Sequence, residues 1–170
     1  DMKKGLAQNA AELENAKVIP ALVAKVLERS SGDSVSWLIS ELVRPLSDNR
    51  EFTKLTGFSF DALEYYLDEG EKTSYDPGQL ASSITQQLKK SPATVANIHI
   101  REQRRGFVAA LDVMQRWPAF PDLLKTLTMG DRGLGVGDLD RLDHWGKTSD
   151  GRVVLLDYGA TNEVLRDLYS

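Results

Sequence analysis

Aspartates are concentrated towards the end of the chain, within one loop that is also rich in glycine. They are Asp131, Asp138, Asp140, Asp143, Asp150 and Asp157. Carboxylate oxygens are hard ligands, and so many of them in a short span suit Mg²⁺ or Ca²⁺. The spacing does not fit a calcium-binding EF-hand loop, which needs alternating ligands, a central glycine and a terminal glutamate. The alternative interpretation is a solvated acidic loop without a bound metal.

The last of these aspartates stands in the stretch VVLLDYG, residues 153–159. An apolar run typical of a buried strand leads directly into a carboxylate, an aromatic residue and a glycine. Asp and Gly also mark ordinary turns, so the tripeptide alone does not distinguish a site from a turn. The order of the neighbouring motifs favours a site, because GDL at 137–139 and WG at 145–146 precede a short hairpin and LLDYG.

This order resembles the active-site segment of the protein-kinase-like and aminoglycoside-phosphotransferase-like superfamily. In that family a catalytic aspartate in a GDL or RDL loop precedes a metal-binding asparagine. A β-hairpin then carries the metal-binding aspartate of a DFG or DYG segment. The resemblance implies that Asp138 accepts or positions the proton of an acceptor hydroxyl, and that Asp157 binds Mg²⁺ beside the phosphates of ATP. Tyr158 is expected to pack inward, and Gly159 to let the backbone turn sharply away.

The segment SWLISELVRPL, residues 36–46, resembles the kinase strand that ends in the hinge between the two lobes. On that match Ser40 stands at the gatekeeper position. Backbone groups of Glu41 and Val43 are then expected to face the adenine edge. The end of the chain is similar to compact kinase-like proteins of bacteriophage genomes.

Three departures from the family pattern argue against full activity. The residue five positions after Asp138 is Asp143 instead of asparagine, whereas the usual hairpin length, counted back from Asp157, leads to His144. Aspartate can hold Mg²⁺, but neutral histidine is a poor ligand for so hard an ion, which makes Asp143 the second predicted metal ligand. A glycine-rich phosphate loop and a strand lysine are not found ahead of the first predicted helix, and no APE motif follows DYG.

The first predicted helix offers Glu12 and Glu14 as candidates for the helix glutamate that pairs with a strand lysine in the family. We favour the interpretation that both lie on its solvated face. The only lysines ahead of them, Lys3 and Lys4, stand at the helix start and do not supply a strand lysine. The chain begins with Asp1 instead of methionine, which favours a piece of a longer protein.

Hydrophobic periodicity and turn signals predict the elements that position these residues. Residues 4–17 are predicted to be a helix, with residues 21–28 and 35–43 as two strands of a hairpin packed on it. Residues 94–116 are the longest predicted helix, and residues 152–157 a strand that ends on the aspartate of DYG. The predicted core residues of the long helix are Val95, Ile98, Phe107, Leu111 and Met114.

These elements predict an α+β fold that is mostly helical, like the larger lobe of a kinase with two small β-hairpins. Residues 1–46 are predicted to hold the helix, one hairpin and the hinge, as a remnant of the smaller lobe. Residues 47–170 are predicted to form the helical lobe that carries the catalytic-loop and DYG segments.

The amino-acid composition limits the classes of function that this chain can have. The chain has 170 residues, a net charge of −4, and 41% hydrophobic and 27% charged residues, which is typical of one globular domain. Its charge gives no general reason to bind nucleic acid or an anionic membrane, and no apolar run reaches the length of a membrane span. The lack of cysteine excludes disulfides and thiolate metal sites, and two histidines exclude a His-rich site. A location in the cytoplasm, or in the virion if a phage encodes the chain, is expected.

Two hypotheses from different classes follow. The first is a kinase-like phosphotransferase domain or fragment that uses ATP and Mg²⁺ on an unknown hydroxyl acceptor, with weak or no activity as this chain alone. The second is a pseudokinase-type structural or protein-interaction module without catalysis, such as a component of a phage particle. A basic group on the long helix is interpreted as a solvated face, with a docking site for an acidic partner as the alternative. Its members are His99, Arg101, Arg104 and Arg105.

Overall fold

The computed structural model describes residues 2–91, 93–94 and 96–169, with side chains described up to residue 166. Its α-helices are α1 (Met2–Val18), α2 (Asn49–Thr56), α3 (Phe60–Gly70), α4 (Pro77–Lys90), α5 (Ile98–Met114), α6 (Phe120–Thr128), α7 (Val136–Leu139) and α8 (Asn162–Tyr169). Short 3₁₀ turns occupy Glu71–Thr73, Gly130–Arg132 and Leu142–His144. The predicted α+β class with helices predominating is confirmed. No helix in these ranges combines the length and apolar character needed to cross a membrane.

Short strands form two antiparallel sheets. They are β1 (Val26–Arg29), β2 (Leu38–Ser40), β3 (Val43–Pro45), β4 (Trp145–Thr148) and β5 (Val153–Leu155). β1 pairs with β2, while β3, β4 and β5 form a three-stranded sheet in that order. The second predicted hairpin, β4–β5, therefore gains a third strand, β3, from the segment that follows β2.

The hairpin predicted within residues 21–43 is present, but its strands are shorter than predicted. Val23 forms an isolated parallel bridge with Leu155, so the start of the first predicted strand belongs with the other sheet. The second predicted strand, residues 35–43, breaks after Ser40 because β2 and β3 pair with different partners. The prediction of continuous strands over both ranges is wrong for this reason.

The β4–β5 hairpin delivers the DYG segment to the rest of the molecule. β5 ends at Leu155, so the predicted strand reaching Asp157 is too long. The N–H of Leu156 still donates to the carbonyl of His144 at 2.8 Å. Beyond that bond the chain leaves the sheet and approaches α1, which ends the strand before the aspartate.

An aromatic cluster joins the helices to the three-stranded sheet. The ring of Phe52 meets Phe58, Phe60 and Trp145 edge-on, with centroid separations of 5.6, 5.1 and 6.0 Å. The indole N–H of the fully buried Trp145 donates to the carbonyl of Leu139 at 3.0 Å. Since Trp145 begins β4 and Leu139 ends α7, this bond fixes the GDL loop to the sheet.

The long helix predicted over residues 94–116 is α5. Phe107, Leu111 and Met114 are buried, as predicted. Ile98 is 52% exposed, so its prediction as a core residue is wrong. It lies in the first turn of α5, ahead of the stretch that packs on the core. Val95 lies outside the described residues.

Candidate functional site

Tyr158 holds the DYG segment in place and is buried, with 1% of its surface exposed, as predicted. Its phenol O–H donates to the carbonyl of Ala24 at 2.8 Å, and Ser40 hydrogen-bonds to the same phenol. The side-chain amide of Asn15 on α1 donates to the Tyr158 carbonyl at 2.6 Å. Burial raises the pKa of Tyr158, so the phenol stays neutral. β2, α1 and the DYG segment thus meet at one residue.

Gly159 brings the backbone of the DYG segment against α1. A Cβ at this position would lie 3.0 Å from the carbonyl oxygen of Gln8 and 3.1 Å from Oε1 of Glu12. The φ angle of Gly159 is not in the left-handed region. The expectation that this glycine permits a sharp turn is therefore wrong; its lack of a side chain permits the close approach of a helix.

Glu12 lies between α1 and the DYG segment and is only partly exposed. Burial, and then the charge of Asp157, raises the pKa of Glu12 to about 7. No cationic side chain of the described residues pairs with it. Glu14, in contrast, is exposed and lies 3.7 Å from the ammonium group of Lys17. The prediction of a solvated face is confirmed for Glu14 and wrong for Glu12, because the DYG segment covers that part of α1.

Asp138 lies in the single turn of α7, within the GDL loop. Its Oδ2 atom is buried and accepts no hydrogen bond from the part of the chain that the structure describes. Burial raises the pKa of Asp138, nearby His144 opposes that rise, and the charge of Asp157 adds to it. A buried acceptor without a donor costs free energy. A proton, a ligand hydroxyl or a cation at Oδ2 would remove that cost.

Asp157 is exposed, and its negative charge affects the ionisation of two other carboxyl groups. Its charge contributes to the raised pKa of Glu12 on α1 and of Asp138 in the GDL loop. Carboxyl groups from two other parts of the chain therefore lie within electrostatic range of Asp157. Like charges so arranged repel unless protons or a cation offset them.

The two candidates for the second metal position lie in different surroundings. His144 Nδ1 is 3.2 Å from the carbonyl oxygen of Asp138 and 3.7 Å from its Oδ1 atom. Asp143 is exposed and pairs with Arg141 at 2.8 Å, and this pair lowers the pKa of Asp143. The structure thus brings His144 to Asp138, while the role of Asp143 as a metal ligand stays a prediction.

Other aspartates of the loop make exposed ion pairs. Asp131 lies 2.8 Å from Arg166, and Asp150 lies 3.2 Å from Arg152. These residues fit the alternative interpretation of a solvated acidic loop. The loop is therefore divided: these aspartates form exposed ion pairs, whereas the Oδ2 atom of Asp138 is buried without a hydrogen-bond partner among the described residues.

The predicted adenine-binding residues begin at the end of β2. Ser40 contacts Tyr158 through its hydroxyl. The backbone N–H of Glu41 donates to the carbonyl of Lys25 at 2.9 Å, and its carboxylate accepts the N–H of Lys25 at 2.8 Å. The same carboxylate pairs with Arg152. Glu41 is thereby fixed by Lys25 and Arg152, and its backbone N–H already donates a hydrogen bond to Lys25.

Val43, the third of these residues, begins β3 opposite Thr148. Leu42 lies between the two strands with 90% of its surface exposed. The three predicted residues therefore span the end of one strand, a break and the start of another. Of the three, Ser40 has the contact with the DYG segment.

The sequence predicts a metal site from these carboxylates. Their arrangement in the structure indicates which ion could bind there. Within the described ranges, no three Asp, Glu, His or Cys side chains lie close enough together to hold a metal ion. Mg²⁺ is usually held by one or two carboxylates together with substrate phosphates and water. Asp157 and the unpartnered Oδ2 of Asp138 fit that smaller requirement, and they do not fit a cage of protein ligands such as Ca²⁺ takes.

Sequence reasoning missed Asn15, which is 3% exposed and bonds to the DYG backbone. A signal for it is present in the sequence. Gln8, Glu12 and Asn15 recur at helical spacing and form a polar stripe on α1. A polar stripe on a helix that otherwise packs through small apolar residues indicates buried polar contacts, although it does not identify their partner.

Comparison of the chain with models of known protein families, with curated proteins and with solved structures finds no match. The resemblance to kinase-like phosphotransferases therefore depends on the motifs and on the positions of their residues.

Proposed function

We propose that this chain is a kinase-like phosphotransferase domain, or a fragment of one, that binds ATP with Mg²⁺ and acts on a hydroxyl acceptor. The observation that supports this most is the position of Asp157, whose charge acts on both Glu12 and Asp138. Phosphoryl transfer requires positioning and charge neutralisation more than covalent chemistry by the protein. A small group of carboxylates from separate segments suits that requirement.

The roles of the carboxylates follow from their surroundings. Asp157, which is exposed, would hold the ion together with phosphate oxygens, and bound Mg²⁺ would supply neutralisation of their charge. Asp138 accepts or positions the proton of the acceptor hydroxyl through its unpartnered Oδ2 atom. Its raised pKa makes it a better proton acceptor than a solvated aspartate. Asp143 remains the candidate for a second contact with the ion.

The nucleotide base is proposed to lie at Ser40, Glu41 and Val43. Ser40 supports this position because its hydroxyl bonds to Tyr158, next to Asp157. The position of the base at Ser40 and that of the phosphates at Asp157 would then be connected through the contact between Ser40 and Tyr158. Backbone groups of this break between β2 and β3 would face the base, other than the N–H of Glu41, which donates to the carbonyl of Lys25.

A second candidate function is a pseudokinase-type interaction module that keeps the fold without turnover. The observation that favours it is Glu12, which has no cationic partner in the described part of the chain and a pKa of about 7. In the family that this chain resembles, the corresponding glutamate pairs with a lysine that contacts the phosphates. A module of this kind would bind a protein partner, such as a component of a phage particle.

Calorimetric titration with Mg²⁺ and a non-hydrolysable ATP analogue tests the proposal. Saturable binding that requires Mg²⁺ is expected, and Asp157→Asn should weaken it on the order of tenfold, since a charge-assisted contact is lost. Asp112→Asn is the matched control, because Asp112 is an exposed aspartate on α5 that pairs with Arg116. Absence of binding by the unaltered chain, or equal binding by Asp157→Asn, would reject the nucleotide site.

A further inference from the structure

A groove lies between α4 and α5, among residues to which no role in the proposed phosphotransferase site is given. Its volume is ≈ 390 Å³. Its lining combines apolar and cationic side chains, and it consists of Thr85, Leu88, Lys89, Arg101, Arg105 and Val108. Leu88 and Val108 are partly buried and also pack against the main core. The groove therefore has an apolar floor with cationic walls.

The charge around this groove is opposite to that of the whole chain. The net charge of the protein is −4, yet residues 77–110 contain five Lys and Arg side chains and one carboxylate, Glu102. Lys89 and Arg105 are exposed. In the part of the chain that the structure describes, neither of them has a carboxylate within salt-bridge distance. Cations gathered without acidic neighbours repel one another, and an anionic partner would relieve that repulsion.

Arg101 fixes the shape of the groove. Its guanidinium group donates to the carbonyl of Leu88 at 2.7 Å and also to that of Ser91. These carbonyls belong to the C-terminal end of α4, where Arg101 satisfies acceptors that the helix leaves open. The arginine thereby ties α5 to α4, and Lys89 and Arg105 remain available on either side.

We propose that this groove is a docking site for an acidic peptide segment that carries a large apolar side chain. The apolar side chain would lie on Leu88 and Val108, and flanking carboxylates would pair with Lys89 and Arg105. The apolar floor favours such a peptide over a nucleic acid, whose backbone offers phosphates without an apolar anchor. The net negative charge of the chain also opposes a long polyanion more than a short acidic segment. This site is separate from the proposed nucleotide site and does not depend on it.

The docking site can be tested with a fluorescently labelled synthetic peptide, in which one leucine is flanked by two glutamates on each side. Fluorescence anisotropy is expected to show saturable binding that weakens as salt is added. The double variant Lys89→Glu with Arg105→Glu should bind about tenfold or more weakly, since two charge pairs become repulsive. The control, Arg50→Glu with Lys54→Glu, makes the same change in net charge on α2, where both residues are exposed. It should bind within about twofold of the unaltered chain.

A second peptide tests the apolar anchor without altering the protein. Replacing the leucine of the peptide by serine should weaken binding about tenfold, in line with loss of a buried apolar side chain. Three results would overturn the proposal: no saturable binding of the leucine peptide, equal loss in the groove and control variants, or equal binding of the serine peptide. Tighter binding of a single-stranded oligonucleotide of the same charge would also overturn it, in favour of nucleic acid. Circular dichroism of each variant establishes that the helices are retained.

Discussion

The carboxylate of Glu12 lies against the backbone of Gly159, so that α1 and the DYG segment are in direct contact. A Cβ on Gly159 would stand 3.1 Å from both Cγ and Oε1 of Glu12. The contact also shields Glu12 in part from solvent and sets it near Asp157, which are the two causes of its raised pKa. The position of α1 and the ionisation of the site are therefore linked.

The first prediction concerns the pH dependence of stability caused by Glu12. The pKa of Glu12 rises from 4.5 to about 7 on folding. Below pH 4.5 both the folded and unfolded states hold the proton, so there is no penalty. Between that pH and about 7 the unfolded state releases its proton first, and the free energy of unfolding falls as pH rises. Glu12→Gln should therefore stabilise the protein by about 1–3 kcal/mol at pH 8 and by little at pH 4.5.

Urea denaturation at both pH values measures this difference. Glu14→Gln is the matched control, since Glu14 is exposed on the same helix and pairs with Lys17. Its effect should be small and should not grow from pH 4.5 to pH 8. An equal gain from the two variants at pH 8 would contradict the burial of Glu12.

The second prediction concerns the space at Gly159. Gly159→Ala places a methyl group 3.0 Å from the carbonyl oxygen of Gln8, so α1 must move by a few tenths of an ångström. We expect a loss of about 1–3 kcal/mol in the free energy of unfolding. Gly106→Ala on α5 is the control, because nothing lies within 4 Å of its added Cβ. Within a helix that change should stabilise by about 0.5–1 kcal/mol, and a loss at both positions would refute the close approach.

The third prediction concerns the phenol of Tyr158. Tyr158→Phe removes the donor to the Ala24 carbonyl and leaves that buried acceptor open. The cost should be about 1–2 kcal/mol in chemical denaturation. Tyr65→Phe is the control, since the ring of Tyr65 packs at a tilt on Phe107 with centroids 4.3 Å apart, and its hydroxyl forms no hydrogen bond among the described residues. If both variants cost the same, the hydrogen bond to Ala24 adds nothing to stability.

The parts of the site with a local signal could be predicted from the sequence. GDL, the hairpin and LLDYG follow one another in a recognisable order, and inward packing of Tyr158 is confirmed. An aromatic side chain that directly follows a buried apolar strand is expected to pack into the same core. The α+β class, with helices predominating, could also be predicted, because hydrophobic periodicity and turn residues are local signals in the sequence.

The parts that depend on distant contacts could not be predicted. Val43 pairs with Thr148 across most of the chain, so nothing near Val43 indicates that the strand breaks before it. The sequence predicts a solvated Glu12 because its helix repeats polar residues. Only the approach of Gly159 in the folded chain covers this side chain. Ile98 continues the helical period of α5, yet no described element covers its first turn, so half of its surface stays exposed.

The fourth prediction is that this chain, as given, turns ATP over slowly or not at all. The γ-phosphoryl transition state spreads negative charge over three oxygens, which protein kinases neutralise with metal, a strand lysine and backbone groups of a glycine-rich loop. Here no cation of the described residues pairs with Glu12, and the given sequence has no glycine-rich loop ahead of the predicted hinge. Losing one comparable contact costs roughly 3–4 kcal/mol, or about 10²–10³ in rate, so two losses leave little above background.

An assay with radiolabelled ATP and Mg²⁺ measures this turnover, with Asp157→Ala as the inactive reference. We expect release of phosphate by the unaltered chain to stay within about tenfold of that reference, because charge neutralisation at the γ-phosphate is incomplete. Robust turnover that disappears in Asp157→Ala would refute the prediction while supporting the proposed site. Binding of the ATP analogue without turnover would favour the interaction module, because binding of the nucleotide in its ground state does not require that the transition state be stabilised.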